Sequence, residues 1–189
     1  MRATTREFST DASVGNLIVI AGLTAVLFAG GLALAEGIGE VGLDIDWKPF
    51  FIVYTVIIFV PWGTPTIAAA AGATLAEGLL DIFEGAAADD PFGWAGYLIG
   101  FTVAGAIFGN DVDSKVKLVT GAIAGALFQY GVEGLYLFAL SGGQSGELLG
   151  TTFSGAAAFY VISTIGNTVT HGIILGAIPL LPTVDYLKD

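Results

Sequence analysis

The chain has 189 residues, 54% of them hydrophobic, with a mean hydropathy of +0.81 and only 12% charged residues. That charged fraction is roughly half of what soluble domains carry, too little to cover a water-exposed globular surface. Seventeen acids against six bases give a net charge of −11, which disfavours nucleic acid as a partner. The absence of cysteine excludes disulfides, thiolate metal sites and cysteine nucleophiles, and a single histidine argues against a haem or histidine-rich metal site. No cofactor is expected.

The N-terminal tail, residues 1–13, is polar and carries Arg2 and Arg6. An apolar run from Val14 to Ala35 predicts a first membrane span. It ends in Ala33-Leu34-Ala35 before Glu36, which mimics a signal-peptidase site. The run is longer than the roughly 7–15 residues of a signal core, so it reads as retained. An acidic connector with Glu36, Glu40, Asp44 and Asp46 precedes a second apolar run, Pro49 to Val60. Pro61-Trp62-Gly63-Thr64-Pro65 then predicts a tight reversal, because both prolines remove an amide donor and bias their predecessors away from helix. A third helix follows from Thr66 to Phe83; one long kinked helix is the alternative. A second acidic connector, residues 84–91, leads to span four, Phe92 to Phe108. The turn at 110–117 carries Lys115 and Lys117, span five extends to Leu140, and a Gly/Ser connector reaches Glu147. Span six is expected from Leu148 to Leu181, and residues 183–189 form a short tail. The fold class expected is all-α: one polytopic domain, residues 14–182, of about six transmembrane helices.

Orientation follows from the bases. With both termini cytoplasmic, Arg2, Arg6, Lys115, Lys117 and Lys188 lie inside, and only Lys48 lies outside. Both acid-rich connectors then face outward. The implied localisation is the cell membrane, multi-pass. The acidic, lysine-poor composition also resembles that of proteins from salt-accumulating halophiles.

Ionisable residues at membrane depth carry the functional signal, since a carboxylate there costs roughly 2.5–3.5 kcal/mol on insertion scales. Glu77 and Asp81 lie one turn apart on helix three. Gln129, Glu133 and Tyr136 share a face of helix five, and Tyr160, Ser163, Asn167 and His171 recur at helical spacing on helix six. Trp94 and Tyr97 enter helix four from the same side. These groups predict an outward-facing pocket, with Trp47 close by under the two acidic connectors. Asp81, Trp94, Tyr97 and Tyr136 read equally well as interfacial anchors. His171 reads as a helix–helix hydrogen bond. Ala21, Ala25, Ala29 and Ala33 form a ladder on helix one, a smooth stripe suited to close docking of another helix, with ordinary packing within this bundle as the alternative. Gly96/Gly100, Gly105/Gly109 and Gly121/Gly125 read as packing pairs.

Gly143-Gln144-Ser145-Gly146 matches the G-x-S-G pattern of rhomboid intramembrane proteases, with His171 as a conceivable base. The pattern is short, Ser145 falls in a connector, and the spacing to His171 leaves no room for an intervening span. No catalytic residue is assigned and the chain is not expected to be an enzyme.

The alanine ladder, the turn Pro61-Trp62-Gly63-Thr64-Pro65, and the following Ala71-Gly72-Ala73 and Gly78-Leu79-Leu80-Asp81-Ile82 resemble the substrate-binding S-components of energy-coupling-factor transporters. The resemblance covers nearly the whole chain, although no motif of one vitamin subtype is matched. It implies a subunit that binds a vitamin or similar micronutrient for uptake. It also implies partners: a transmembrane coupling protein, docked on the first-helix ladder, and two ATP-binding-cassette ATPases, because this chain has no nucleotide motif. A membrane scaffold that docks a different helical protein is the rival expectation.

Overall fold

The computed structural model describes residues 9–35, 47–85, 87, 90–109, 111, 114–135, 146–148, 151–153 and 156–177. They form helices α1 (Val14–Ala35), α2 (Phe50–Phe59), α3 (Thr64–Glu84), α4 (Asp90–Phe108), α5 (Lys115–Leu135) and α6 (Ala156–Asn167). A π-helix, Thr168–Leu175, continues α6 without interruption. Strands β1 (Gly146–Leu148) and β2 (Thr151–Phe153) pair antiparallel, with Glu147 opposite Thr152.

Four of these helices, α1, α3, α4 and α5, are long and apolar enough to cross a membrane. The chain is therefore a helical, membrane-embedded protein. Helix α2 has 10 residues, which at about 1.5 Å per residue covers roughly half of a 30 Å hydrocarbon layer.

The second and third apolar runs are separate helices, as the proline pair predicts. Gly63 sits between them at φ 131°, and Pro65 lies in the first turn of α3, where its missing N–H costs nothing. A Cβ at Gly63 would collide with the backbone of Ser9, which bridges to this turn. Ser9 N–H donates to the Trp62 carbonyl at 2.9 Å, and Thr64 N–H donates to the Ser9 carbonyl at 3.0 Å. Ser9 is thus pinned to the α2–α3 reversal.

Span six departs from expectation. Residues 146–148 and 151–153 pair as antiparallel strands, so the helix begins at Ala156 and not near Leu148. Gly146, Gly150 and Gly155 interrupt this stretch, and Thr151, Thr152 and Phe153 favour extended backbone. Farther on, β-branched Thr168, Val169 and Thr170 stand where the α-helix gives way to the π-helix. The part of span five beyond Leu135 and the end of span six lie outside the described residues.

Small residues bring the helices together. A Cβ at Gly100 would meet the Gln129 amide nitrogen at 3.0 Å, and one at Gly96 would meet the Gln129 carbonyl at 2.5 Å. Helices α4 and α5 therefore touch along their backbones, the most extensive pairing in the bundle, followed by α1 on α3. Gly121 and Gly125 continue that seam against Phe108 and Ala104, and Gly105 packs on Thr66. Gly109 does not belong to a packing pair: at φ 55° it ends α4.

The centre is aromatic. Phe50 lies against Tyr97, Phe101, Tyr130 and His171, with ring centroids 5.6, 5.1, 5.8 and 4.7 Å away. Phe28 and Tyr54 close this cluster from α1 and α2, and the Tyr54 hydroxyl donates to the Ala122 carbonyl at 3.0 Å.

Candidate functional site

A cavity of about 60 Å3 opens where the C-terminal halves of α3 and α5 meet the start of α4. Lys48, Glu77, Asp81, Asp90, Gly93, Tyr97 and Glu133 line it. Four carboxylates thus face one ammonium. The space is large enough for a few water molecules and is well below the roughly 300 Å3 at which drug-sized ligand pockets begin.

Glu77 is the most deeply held acid. Its position two turns before the end of α3 buries it, and its Oε1 accepts from Lys48 Nζ at 2.8 Å and from the Tyr97 hydroxyl at 2.9 Å. Tyr97 is fully buried on α4, and Lys48 Nζ also lies 5.5 Å from its ring centroid. An ammonium on a carboxylate and an aromatic face is well bound, because each partner meets its positive charge with negative density. A buried carboxylate without such partners would be strongly destabilising.

Lys48 is positioned by its own backbone. Its amide N–H donates to His171 Nε2 at 2.9 Å, and Pro49 and Phe50, which follow it, are buried. Because Nε2 accepts, the ring proton lies on Nδ1. Nδ1 lies 3.0 Å from the Asn167 carbonyl oxygen and 2.9 Å from the Tyr130 hydroxyl oxygen. His171 is fully buried, so it ties the π-helix, α5 and the start of α2 to one point. Within α-helices π-turns occur frequently at functional sites.

The other acids are held in turn. Trp94 Nε1 donates to Asp81 Oδ2 at 2.6 Å, and Gln129 Nε2 donates to Glu133 Oε2 at 2.6 Å. Gly93 of α4 faces Glu133: a Cβ there would sit in ordinary contact, 3.8 Å from the Glu133 carboxyl carbon.

Of the residues expected at the pocket, Glu77, Asp81, Tyr97 and Glu133 line it. Trp94 and Gln129 stand behind Asp81 and Glu133 as hydrogen-bond donors. Ser163 and Asn167 are buried on α6 and bond to each other at 3.3 Å, Asn167 Nδ2 donating. Trp47 is half-buried beside Lys48, away from the cavity lining. Tyr136 and the side chain of Tyr160 lie outside the described residues, as does Ser145.

Sequence reasoning missed Lys48, Asp90 and Gly93 as pocket residues. Lys48 was legible as the lone base in the acid-rich half, immediately before Pro49 and an apolar run. His171 is a helix–helix hydrogen bond, as expected, but its partner set includes the backbone of Lys48.

The alanine ladder does not present one uniform stripe. The Ala21 carbonyl lies against Gly72 of α3, where any Cβ would collide with it. Ala25 and Ala29 are partly buried against the core, and Ala33 is exposed. The outward face of α1 carries Ile18, Val19, Leu23, Val26 and Leu27, all exposed.

No protein-family model, no curated protein and no solved structure matches this chain.

Proposed function

We propose that this chain is a membrane-embedded solute-binding subunit for uptake of a small, positively charged micronutrient. Four carboxylates from α3, α4 and α5 converging on one cavity inside an apolar bundle carry that proposal. Charge of one sign at membrane depth is costly, and such groups ordinarily mark a ligand or ion path. Tyr97 adds an aromatic face suited to a cation.

In the full proposal, six membrane segments leave both termini cytoplasmic and the acidic cavity toward the outside. Delivery inward is coupled to a transmembrane coupling protein and two ATP-binding-cassette ATPases, as in energy-coupling-factor transporters. The resemblance of the proline-rich turn and the helix after it supports that assignment. The chain itself is a binding subunit and not an enzyme.

The deciding experiment is native mass spectrometry of gently purified protein, together with uptake by cells expressing the chain. A retained cationic small molecule, lost in Glu77→Gln, is the expected result. A stably folded protein that retains no solute, and copurifies with a helical partner other than ATPases, would favour the scaffold function.

A further inference from the structure

The ammonium that stands in the acidic cavity belongs to the chain itself. We propose that Lys48 is a resident cation, and that a small organic cation enters the pocket by displacing the Lys48 ammonium from Glu77. This rests on the cavity being a solute site, and it assigns that site a mechanism of selection.

The geometry divides Lys48 into a fixed part and a movable part. Its amide is held by His171 at 2.9 Å, and the buried Pro49 and Phe50 anchor the chain beyond it. The four-carbon stem is flexible, and the side chain is 19% exposed, so it borders water rather than being sealed in the bundle. What it leaves behind is a carboxylate, a tyrosine hydroxyl and an aromatic ring within reach of one point. Those are the groups that recognise an organic ammonium or guanidinium.

Displacement accounts for the small size of the cavity, because withdrawal of the stem adds its own volume to the free space. It also accounts for charge. With Lys48 in place Glu77 is never left buried and uncompensated, which would be strongly destabilising. A cationic solute can trade places with Lys48 without leaving that charge bare, whereas a neutral or anionic one cannot. Selection against those solutes is therefore built into the resting state.

The test uses the full chain in detergent and guanidinium at millimolar concentration, with equal sodium chloride as the ionic-strength control. Lys48→Met is expected to bind guanidinium roughly tenfold more tightly than the native chain, the scale of removing one charge-assisted competitor. Lys48→Arg is expected to show no gain. In the native chain, acetylation of Lys48 by acetic anhydride, read by peptide mass spectrometry, is expected to rise with guanidinium and not with sodium. Equal or weaker binding by a folded Lys48→Met overturns the displacement mechanism. Native binding with unchanged Lys48 acetylation overturns it too, while leaving the cavity a cation site. Absence of guanidinium binding from both proteins, with unchanged acetylation, removes the solute site as well. Should Lys48→Met fail to fold, the acetylation of the native chain decides alone.

Discussion

The backbone amide of Lys48 donates to Nε2 of His171 across 123 positions of sequence, at 2.9 Å. This bond fixes the start of α2 to the π-helix and sets where the Lys48 ammonium can reach. The polar centre of the bundle depends on it, because the same imidazole also meets Tyr130 and the Asn167 carbonyl.

Replacing His171 with leucine is expected to leave the Lys48 amide without its acceptor in a partly buried site. The loss is about 1–3 kcal/mol, the cost of an unsatisfied buried donor. His171→Asn offers a shorter polar side chain and should recover part of it. Denaturant titration in detergent micelles checks the order native, Asn, Leu. An unchanged midpoint in His171→Leu would show that water replaces the ring at no cost.

The pocket is tested at Glu133, which lines the cavity and accepts from Gln129. Glu133→Gln keeps the shape and removes the charge. Binding of a cationic solute is expected to weaken by about 1–3 kcal/mol, the scale of a charged hydrogen bond. Expression should remain close to native, since Glu133 is only half-buried. Unchanged binding would move the solute away from α5.

Much of the fold was legible because its causes are local. Pro61, Gly63 and Pro65 dictate a reversal wherever they occur, and the structure separates α2 from α3 there. Glu77, Asp81 and Glu133 were legible because acids inside apolar runs demand a reason. The partner of Glu77 was not legible from spacing. Lys48 lies 29 positions away on another element, and it reaches α3 through the amide bond to His171 and the packing of Phe50 among six rings. The strand pair 146–148 and 151–153 was hidden by its apolar Leu148 and Phe153, which satisfy strand and membrane helix alike. The alanine ladder was legible as a face but not as a contact. Periodicity assigns residues to one face but does not say what that face meets, and α3 meets part of it through Gly72.

Topology can be read with introduced cysteines, because the native chain has none. A cysteine at Ala87, between α3 and α4, is expected to react with an impermeant thiol reagent on intact cells. One at Ser114, before α5, is expected to react only after the cells are opened. Labelling of Ser114→Cys from outside would invert the proposed orientation and place the acidic cavity toward the cytoplasm.

The first helix gives the last prediction, since its two ends now have different roles. Ala21 packs its carbonyl directly on Gly72, so Gly72→Leu would force α1 away from α3. Close backbone contact is what holds such helices together in lipid, and bulk there is expected to destabilise the solitary protein. Ala33 is exposed, and leucine there meets nothing in the described bundle that must move. If the outward face of α1 docks a coupling protein, Ala33→Leu combined with Gly30→Leu should stop uptake and copurification. A Cβ at Gly30 would meet nothing within 4 Å, so this pair too is expected to leave the solitary fold undisturbed. Solute binding by the isolated chain should survive, because the cavity is lined from α3, α4, α5 and Lys48. Loss of binding along with docking would mean that α1 shapes the pocket indirectly. Normal uptake in the double variant would mean that α1 faces lipid, and the docking surface would have to be sought elsewhere on the bundle.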